Sequence, residues 1–351
     1  MDNVSAKVRR ELPQRTASPG QSTDTAAISS SAGNAISEAG NIPVNIETPF
    51  LSYSPVVFDV PTRAVPLEIK VSMPATGSDL PIILLSHGHG ETNFLSSLRG
   101  YGPLADFWAA HGFIVIQPTH LDSKALGLRQ TKLPDAPTFF HDRATDMHFI
   151  LDHLGEIEAI VPGLAGRMDH DRVAAVGHSS GGGTVGLLLG AQVLDPDDVR
   201  EKDLSDQRIR AGVMIAAPGI ADSEHSSAAA KRSRQLRYTD FSKMYGKALV
   251  VAGDKDINPA FSTRLSYRWD AYTHSPGGNK TLLTIFDAEH IFGGISGYDA
   301  VETTDENPER VATVRALIWA YLRSQLYPGD LAWQDAVAAL ESSAMGKVEN
   351  R

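Results

Sequence analysis

Hydrophobic positions along the chain fall into two alternating kinds of run. Leu80–Leu85, Phe113–Gln117, Val173–Val176, Val213–Ala216, Ala248–Ala252 and Leu282–Phe286 are short and almost continuously apolar, as expected of strands buried on both faces. Leu67–Met73 alternates around Ile69 and Val71, and Val56–Val60 is a second candidate strand. Pro61 and Pro66 bracket the turn between them. Between the apolar runs lie segments with helical spacing. Tyr101–Ala110 ends at His111-Gly112. Arg143–Leu154 puts Met147, Ile150, Leu151 and Leu154 on one face. Thr184–Gln192 follows a glycine-rich turn, and Pro308–Gln325 repeats Val311, Val314, Leu317, Ile318 and Tyr321. Strands alternating with helices predict an α/β fold with a mostly parallel sheet covered on both faces. No internal repeat interrupts the pattern.

Residues 1–45 differ. Met1–Asn41 is rich in Ser, Ala, Thr, Gly and Asn with few large apolar side chains. Such a segment buries too little to offset its ordering entropy, so a disordered tail is expected there, followed by one domain over 46–351. At 351 residues and 42% hydrophobic, the chain can bury a large core. A net charge of −10 and a pI near 5.6 argue against nucleic acid or an anionic membrane as partner. The chain has no cysteine, which excludes disulfides, a thiolate nucleophile and Cys-ligated zinc. Lys7, Arg9 and Arg10 precede no apolar stretch, so no secretory signal is legible, and no run is long enough to span a bilayer. A cytoplasmic location is the expectation, with a removed signal also compatible.

Candidate chemistry centres on Val173-Ala174-Ala175-Val176-Gly177-His178-Ser179-Ser180-Gly181-Gly182-Gly183. Gly177, Ser179 and Gly181 fit G-x-S-x-G, the nucleophile elbow. A serine on so tight a strand-to-helix turn is crowded from both sides, glycines two residues away relieve the clash, and the helix N-terminus suits a developing oxyanion. Gly181, Gly183 and Gly186 also match the dinucleotide fingerprint G-x-G-x-x-G. Here, however, the glycines fall on the helix, and the next apolar run ends in Pro218-Gly219 without an acid for a ribose. No cofactor is therefore expected.

A serine nucleophile needs a base and an orienting acid, and two later strands end in candidates. Ala248–Gly253 is followed by Asp254-Lys255-Asp256, and Leu282–Phe286 by Asp287-Ala288-Glu289-His290. The order Ser179, acid, His290 is that of α/β-hydrolases. His87 and His89, in Ser86-His87-Gly88-His89-Gly90, open a second possibility, because His-x-His begins many zinc sites. Glu91-Thr92 follows where a binuclear hydrolase has Asp-His. His178 reads as a packing and hydrogen-bonding residue, and His120, His141, His148 and His153 as surface or core histidines.

These pieces, together with Asp142-Arg143, Asp146 and Leu151-Asp152, resemble the dienelactone-hydrolase and platelet-activating-factor-acetylhydrolase-like group of the α/β-hydrolase superfamily, over about Pro49 to Leu326. The resemblance implies an α/β-hydrolase fold with a small cap after the strand following the elbow helix, here within 220–244. It implies a serine esterase, a carboxylic ester hydrolase with catalytic triad Ser179, Asp256 and His290, the acid lying three residues after the glycine ending its strand. It also places oxyanion-hole donors on the backbone N–H groups of His89 and Ser180. The expected partner is a small-molecule ester. An amidase or lactonase on the same triad, a metal-dependent hydrolase using His87 and His89, and a non-catalytic binding protein are the alternatives. Dienelactone hydrolases proper use cysteine, so their substrate does not carry over. In the cap, Lys231, Arg232, Arg234 and Arg237 read first as a solvated face and second as a site for an acidic substrate. Phe261, Tyr267, Trp269 and Tyr272 in 257–280 line a pocket or pack their loop.

Overall fold

The computed structural model describes residues 42–222, 233–298 and 300–351, so the expected tail over Met1–Asn41 and the basic residues Lys231 and Arg232 lie outside the described residues. Nine strands form the main sheet: β1 (Phe50–Phe58), β2 (Leu67–Pro74), β3 (Leu80–Ser86), β4 (Ile114–Pro118), β5 (Met168–His178), β6 (Ile209–Ile215), β7 (Ala248–Gly253), β8 (Lys280–Ile285) and β9 (Gly346–Asn350). Their order is β1-β2-β4-β3-β5-β6-β7-β8-β9. Pairing is parallel from β4 through β8 and antiparallel at the two margins. Among the described residues, the helices of nine residues or more are α1 (Gly102–Ala110), α2 (Phe140–Asp152), α3 (Ser180–Leu188), α4 (Pro308–Leu326) and α5 (Ala332–Ser343).

Continuous apolar runs are required because each inner strand feeds two cores. Ile82 and Leu84, Val173 and Ala175, and Val250 and Ala252 enter one cluster with side chains of α2 and α3. The intervening Ile83 and Leu85, Ala174 and Val176, and Leu249 and Val251 enter a second with α1, α4 and α5. This is the period-2 alternation of a strand with both faces covered. Val311, Val314, Leu317, Ile318 and Tyr321 are all buried. Their helix starts where Pro308 allows it, with the Asn307 side chain accepting from the Arg310 N–H at 2.9 Å.

Several boundaries differ from the sequence expectation. The elbow helix begins at Ser180 rather than Thr184, because Gly181, Gly182 and Gly183 are helical. α2 starts three residues early, at Phe140, and β1 six early, at Phe50. Residues 42–45, assigned above to the tail, are tied down: Ile42 is 8% exposed in the second core, and Asn45 bonds the carbonyl of His111. α5 and β9 had no counterpart in the hydrophobic pattern. Among the described residues, no helix is long and apolar enough to cross a membrane.

Candidate active site

The carboxyl ends of β3, β5, β7 and β8 deliver four loops to one place. At the end of β5 the chain turns so sharply that Ser179 takes φ 54° and ψ −121°, a region costly for a residue with a Cβ. The flanking glycines explain how the turn is tolerated. A Cβ on Gly177 would lie 2.1 Å from the carbonyl oxygen of Gly181, and one on Gly181 would lie 2.1 Å from that of Ser86. Gly186 in the same run faces Met214 in the adjoining strand. The glycines that mimic a dinucleotide fingerprint thus serve close packing of the elbow against β3 and β6.

Ser179, Asp256 and His290 converge. Nε2 of His290 lies 3.0 Å from Oγ of Ser179, and Nδ1 lies 2.9 Å from Oδ2 of Asp256. Asp254, the other candidate acid, is held in the β7 turn by its backbone N–H to the carbonyl of Ile285. Burial pushes the Asp256 carboxyl up, but the His290 imidazole and the Arg268 guanidinium beside it outweigh burial and hold it down at about 2. Asp256 is therefore an acceptor-only carboxylate at neutral pH, and the ring proton it binds sits on Nδ1 of His290. Nε2 is then left to accept from the serine hydroxyl.

Arg268 was not singled out by its sequence. It is 4% exposed, donates from Nη2 to Oδ1 of Asp256 at 3.0 Å and from Nη1 to the carbonyl of Ala216 at 3.0 Å. Its Nη2 also lies 3.2 Å from Nδ1 of His290. Because Nδ1 already carries a proton toward the nearer carboxylate, we read that last approach as a contact, with Asp256 as the acceptor. Arg268 braces the carboxylate beside the histidine, with Nη2 on Oδ1 and Nε 3.0 Å from Oδ2.

His178, inside the elbow, has both ring nitrogens engaged. Nδ1 is 2.9 Å from the Tyr101 hydroxyl and Nε2 is 2.8 Å from the carbonyl of His290. Burial holds its pKa down to about 3, so the ring is neutral, donates from Nε2 and accepts at Nδ1. The Tyr101 hydroxyl in turn accepts the N–H of Gly88 at 2.9 Å. One buried chain thus joins the loops after β3, β5 and β8.

In the loop after β3, His87 is buried, with Nδ1 2.7 Å from the carbonyl of Gly88 and Nε2 accepting the N–H of His120 at 3.0 Å. Both its nitrogens are committed to the fold. His89 places Nδ1 2.8 Å from Oδ2 of Asp122. The Arg143 side chain is buried and binds Asp122, the carbonyl of His87 and Thr184. His120 bridges Ser86 and Asp146, Asp146 also pairs with Arg63, His148 bonds the carbonyl of Leu204, and His153 stacks on Phe149. Gly88 gives its N–H to Tyr101, whereas among the described residues no acceptor takes the N–H of His89. Ser180, opening α3, has a helix N-terminal N–H without an intrahelical partner.

A cavity of about 410 Å³ lies over these groups, lined by Ser179, Ser180, His89 and His290 together with Phe140 and Leu236. Residues 233–241 of the expected cap form part of its wall, and a short ribbon, Gln192–Val193 with Thr239–Asp240, anchors them. Arg234 points into ion pairs with Asp195 and Asp197, which favours the solvated-face reading for that residue. Phe261 and Tyr267 line the cavity, while Trp269 and Tyr272 pack against the first core. No protein-family model matches the chain, and no curated protein matches it.

Proposed function

We propose that this chain is a serine hydrolase of the α/β-hydrolase type that cleaves carboxylic esters through an acyl-enzyme. The observation that carries the reading is the unbroken line from Ser179 Oγ through the His290 ring to Asp256, at 3.0 and 2.9 Å. Each member sits just beyond a parallel strand, in the chain order Ser, Asp, His. The strand order and the tight glycine contacts at the elbow support the resemblance to that superfamily, and the serine-esterase side of the dienelactone-hydrolase and acetylhydrolase-like group is the assignment we favour.

In this mechanism His290 Nε2 accepts the Ser179 proton as Oγ attacks the acyl carbonyl. Asp256, ionised and braced by Arg268, keeps the Nδ1–H tautomer and stabilises the imidazolium. The tetrahedral oxygen is received by the N–H groups of His89 and Ser180, each worth about 3 kcal/mol of barrier. Collapse returns the proton from His290 to the leaving alkoxide. Water then attacks the acyl-enzyme by the same steps and releases acid and free serine. The cavity size suits a small ester.

The test is labelling by a fluorophosphonate together with turnover of p-nitrophenyl esters, with Ser179→Ala as blank. We expect stoichiometric labelling of the wild type at Ser179 and a loss of turnover of at least about a thousandfold in the variant. Turnover unchanged in Ser179→Ala, or no labelling of the folded wild type, sinks the proposal. The same assay with anilide and lactone substrates separates an esterase from an amidase or lactonase.

A further inference from the structure

The second Asp–His pair beside Ser179 has no task in the mechanism above, which uses only the backbone N–H of His89. Asp122 is fully buried as a side chain. Burial pushes its carboxyl up, but Arg143 and the hydrogen bond from His89 hold it well below the usual carboxylate range. An ionised carboxylate only accepts, so the contact places a proton on Nδ1 of His89 and selects the tautomer whose lone pair is on Nε2. The His89 side chain is 33% exposed and lines the cavity, and among the described residues no group bonds Nε2. Three polar neighbours in the wall are otherwise engaged. Thr138 accepts from Gln235, Thr184 binds Arg143 and the carbonyl of Ser180, and Thr239 donates to the carbonyl of Gln235.

Groups other than the imidazole hold the backbone of the loop. Arg129 donates to the carbonyl of Gly90 at 2.6 Å, Arg143 to that of His87, and Tyr101 accepts the Gly88 N–H. Backbone geometry is thus secured without the imidazole. What the Asp122 contact adds is a defined tautomer and ring direction for a group that opens onto the cavity. That is how a recognition histidine is pre-oriented.

We propose that the His89 imidazole recognises a hydrogen-bond-donating substituent, a hydroxyl or amide N–H, on the ester substrate, its Asp122-fixed ring accepting that hydrogen at Nε2. This deepens the serine-esterase reading and rests on it. A site that presents a directed acceptor discriminates against an isostere that cannot donate.

The experiment compares p-nitrophenyl butanoate with its 2- and 3-hydroxy and 2- and 3-methoxy derivatives, and 2-hydroxyethyl with 2-methoxyethyl butanoate for the alcohol side. In the wild type, at least one hydroxy ester should exceed its methoxy partner in kcat/KM by about tenfold or more. His89→Phe keeps the backbone N–H and a ring and should erase that preference, and His89→Gln, with an amide oxygen as acceptor, should restore part of it. No preference at any position in a wild type that is labelled at Ser179 overturns the role of His89 alone, and so does a preference that survives in His89→Phe. A wild type that is neither labelled nor active overturns the serine reading, and this inference with it. Because the wild-type comparison needs no substitution, the proposal stays testable if a variant fails to fold.

Discussion

Replacing Arg268 with Met tests the electrostatics of the site directly. The guanidinium is 4% exposed and binds a carboxylate that is itself 4% exposed. Its removal leaves Asp256 with the Nδ1–H of His290 as its remaining side-chain partner and frees the carbonyl of Ala216. The fall of Asp256 from the ordinary 3.8 to about 2 corresponds to about 2 kcal/mol of net stabilisation of the charged form. Breaking a buried pair from one side costs about 3–5 kcal/mol. With His290 still in place we expect the lower end, about 3 kcal/mol, in urea unfolding at pH 7. The pH dependence has a definite sign. A carboxyl whose folded value is depressed contributes stability in full above its unfolded value, near 3.8, and loses it as pH falls through about 2. The deficit of the variant should therefore be widest at neutral pH and narrow below pH 4. A double-mutant cycle with Asp256→Asn should return a coupling of at least about 1.5 kcal/mol, and kcat should fall about 10- to 100-fold as the histidine loses its braced partner. A deficit under about 1 kcal/mol, or a coupling near zero, would refute the assignment of Arg268 as the brace of Asp256.

Gly181→Ala should destabilise by about 3 kcal/mol or more, because the new Cβ meets the Ser86 carbonyl at 2.1 Å and neither backbone segment yields easily; a melting temperature within two degrees or so of wild type would contradict the elbow geometry. Tyr101→Phe removes the acceptor of the Gly88 N–H and the donor to His178, at a cost of about 1–3 kcal/mol in urea unfolding and a fall in ester turnover. His178, neutral and held to about 3 by burial, refuses a proton that the unfolded chain binds below 6.5. Its stabilising contribution is full above pH 6.5 and drains toward pH 3, at up to about 1.4 kcal/mol per pH unit. A urea midpoint that stays level from pH 6.5 to pH 4.5 would count against it, and His178→Gln should flatten the slope.

Much of the candidate site is legible in the chain because its signals are local. Gly177, Ser179 and Gly181 announce a turn whose steric demand is set by residues two apart, and that demand reappears in the 2.1 Å that would separate a Cβ on Gly177 from the Gly181 carbonyl oxygen. His290 and the Asp254–Asp256 pair are marked by the apolar strands before them. Choosing Asp256 took a resemblance in the sequence, and in the structure it is Asp256 that reaches His290. Arg268 carried no such mark: it stands in a loop of irregular aromatic spacing and meets Asp256 only because the turn over Leu265–Trp269 folds back under β7. Asp122 was likewise mute, and Arg143, though part of the resemblance, gave no sign of its partner, since a helix face says nothing about which buried charge it will neutralise.

Alternation of apolar runs with helical spacings determined the α/β class, since a strand buried on both faces and an amphipathic helix each have a period that any partner must respect. Tertiary structure alone decided β9, whose Gly346-Lys347-Val348-Glu349-Asn350 has no hydrophobic pattern and joins the sheet through backbone hydrogen bonds to β8. It alone decided the links between Tyr101 and His178, 77 residues apart, and between His89 and Asp122, 33 apart. The physical reason is the same for all three. A period is a property of neighbours and survives in the sequence, whereas a hydrogen-bond partner brought from another strand is fixed only when the loops between have closed.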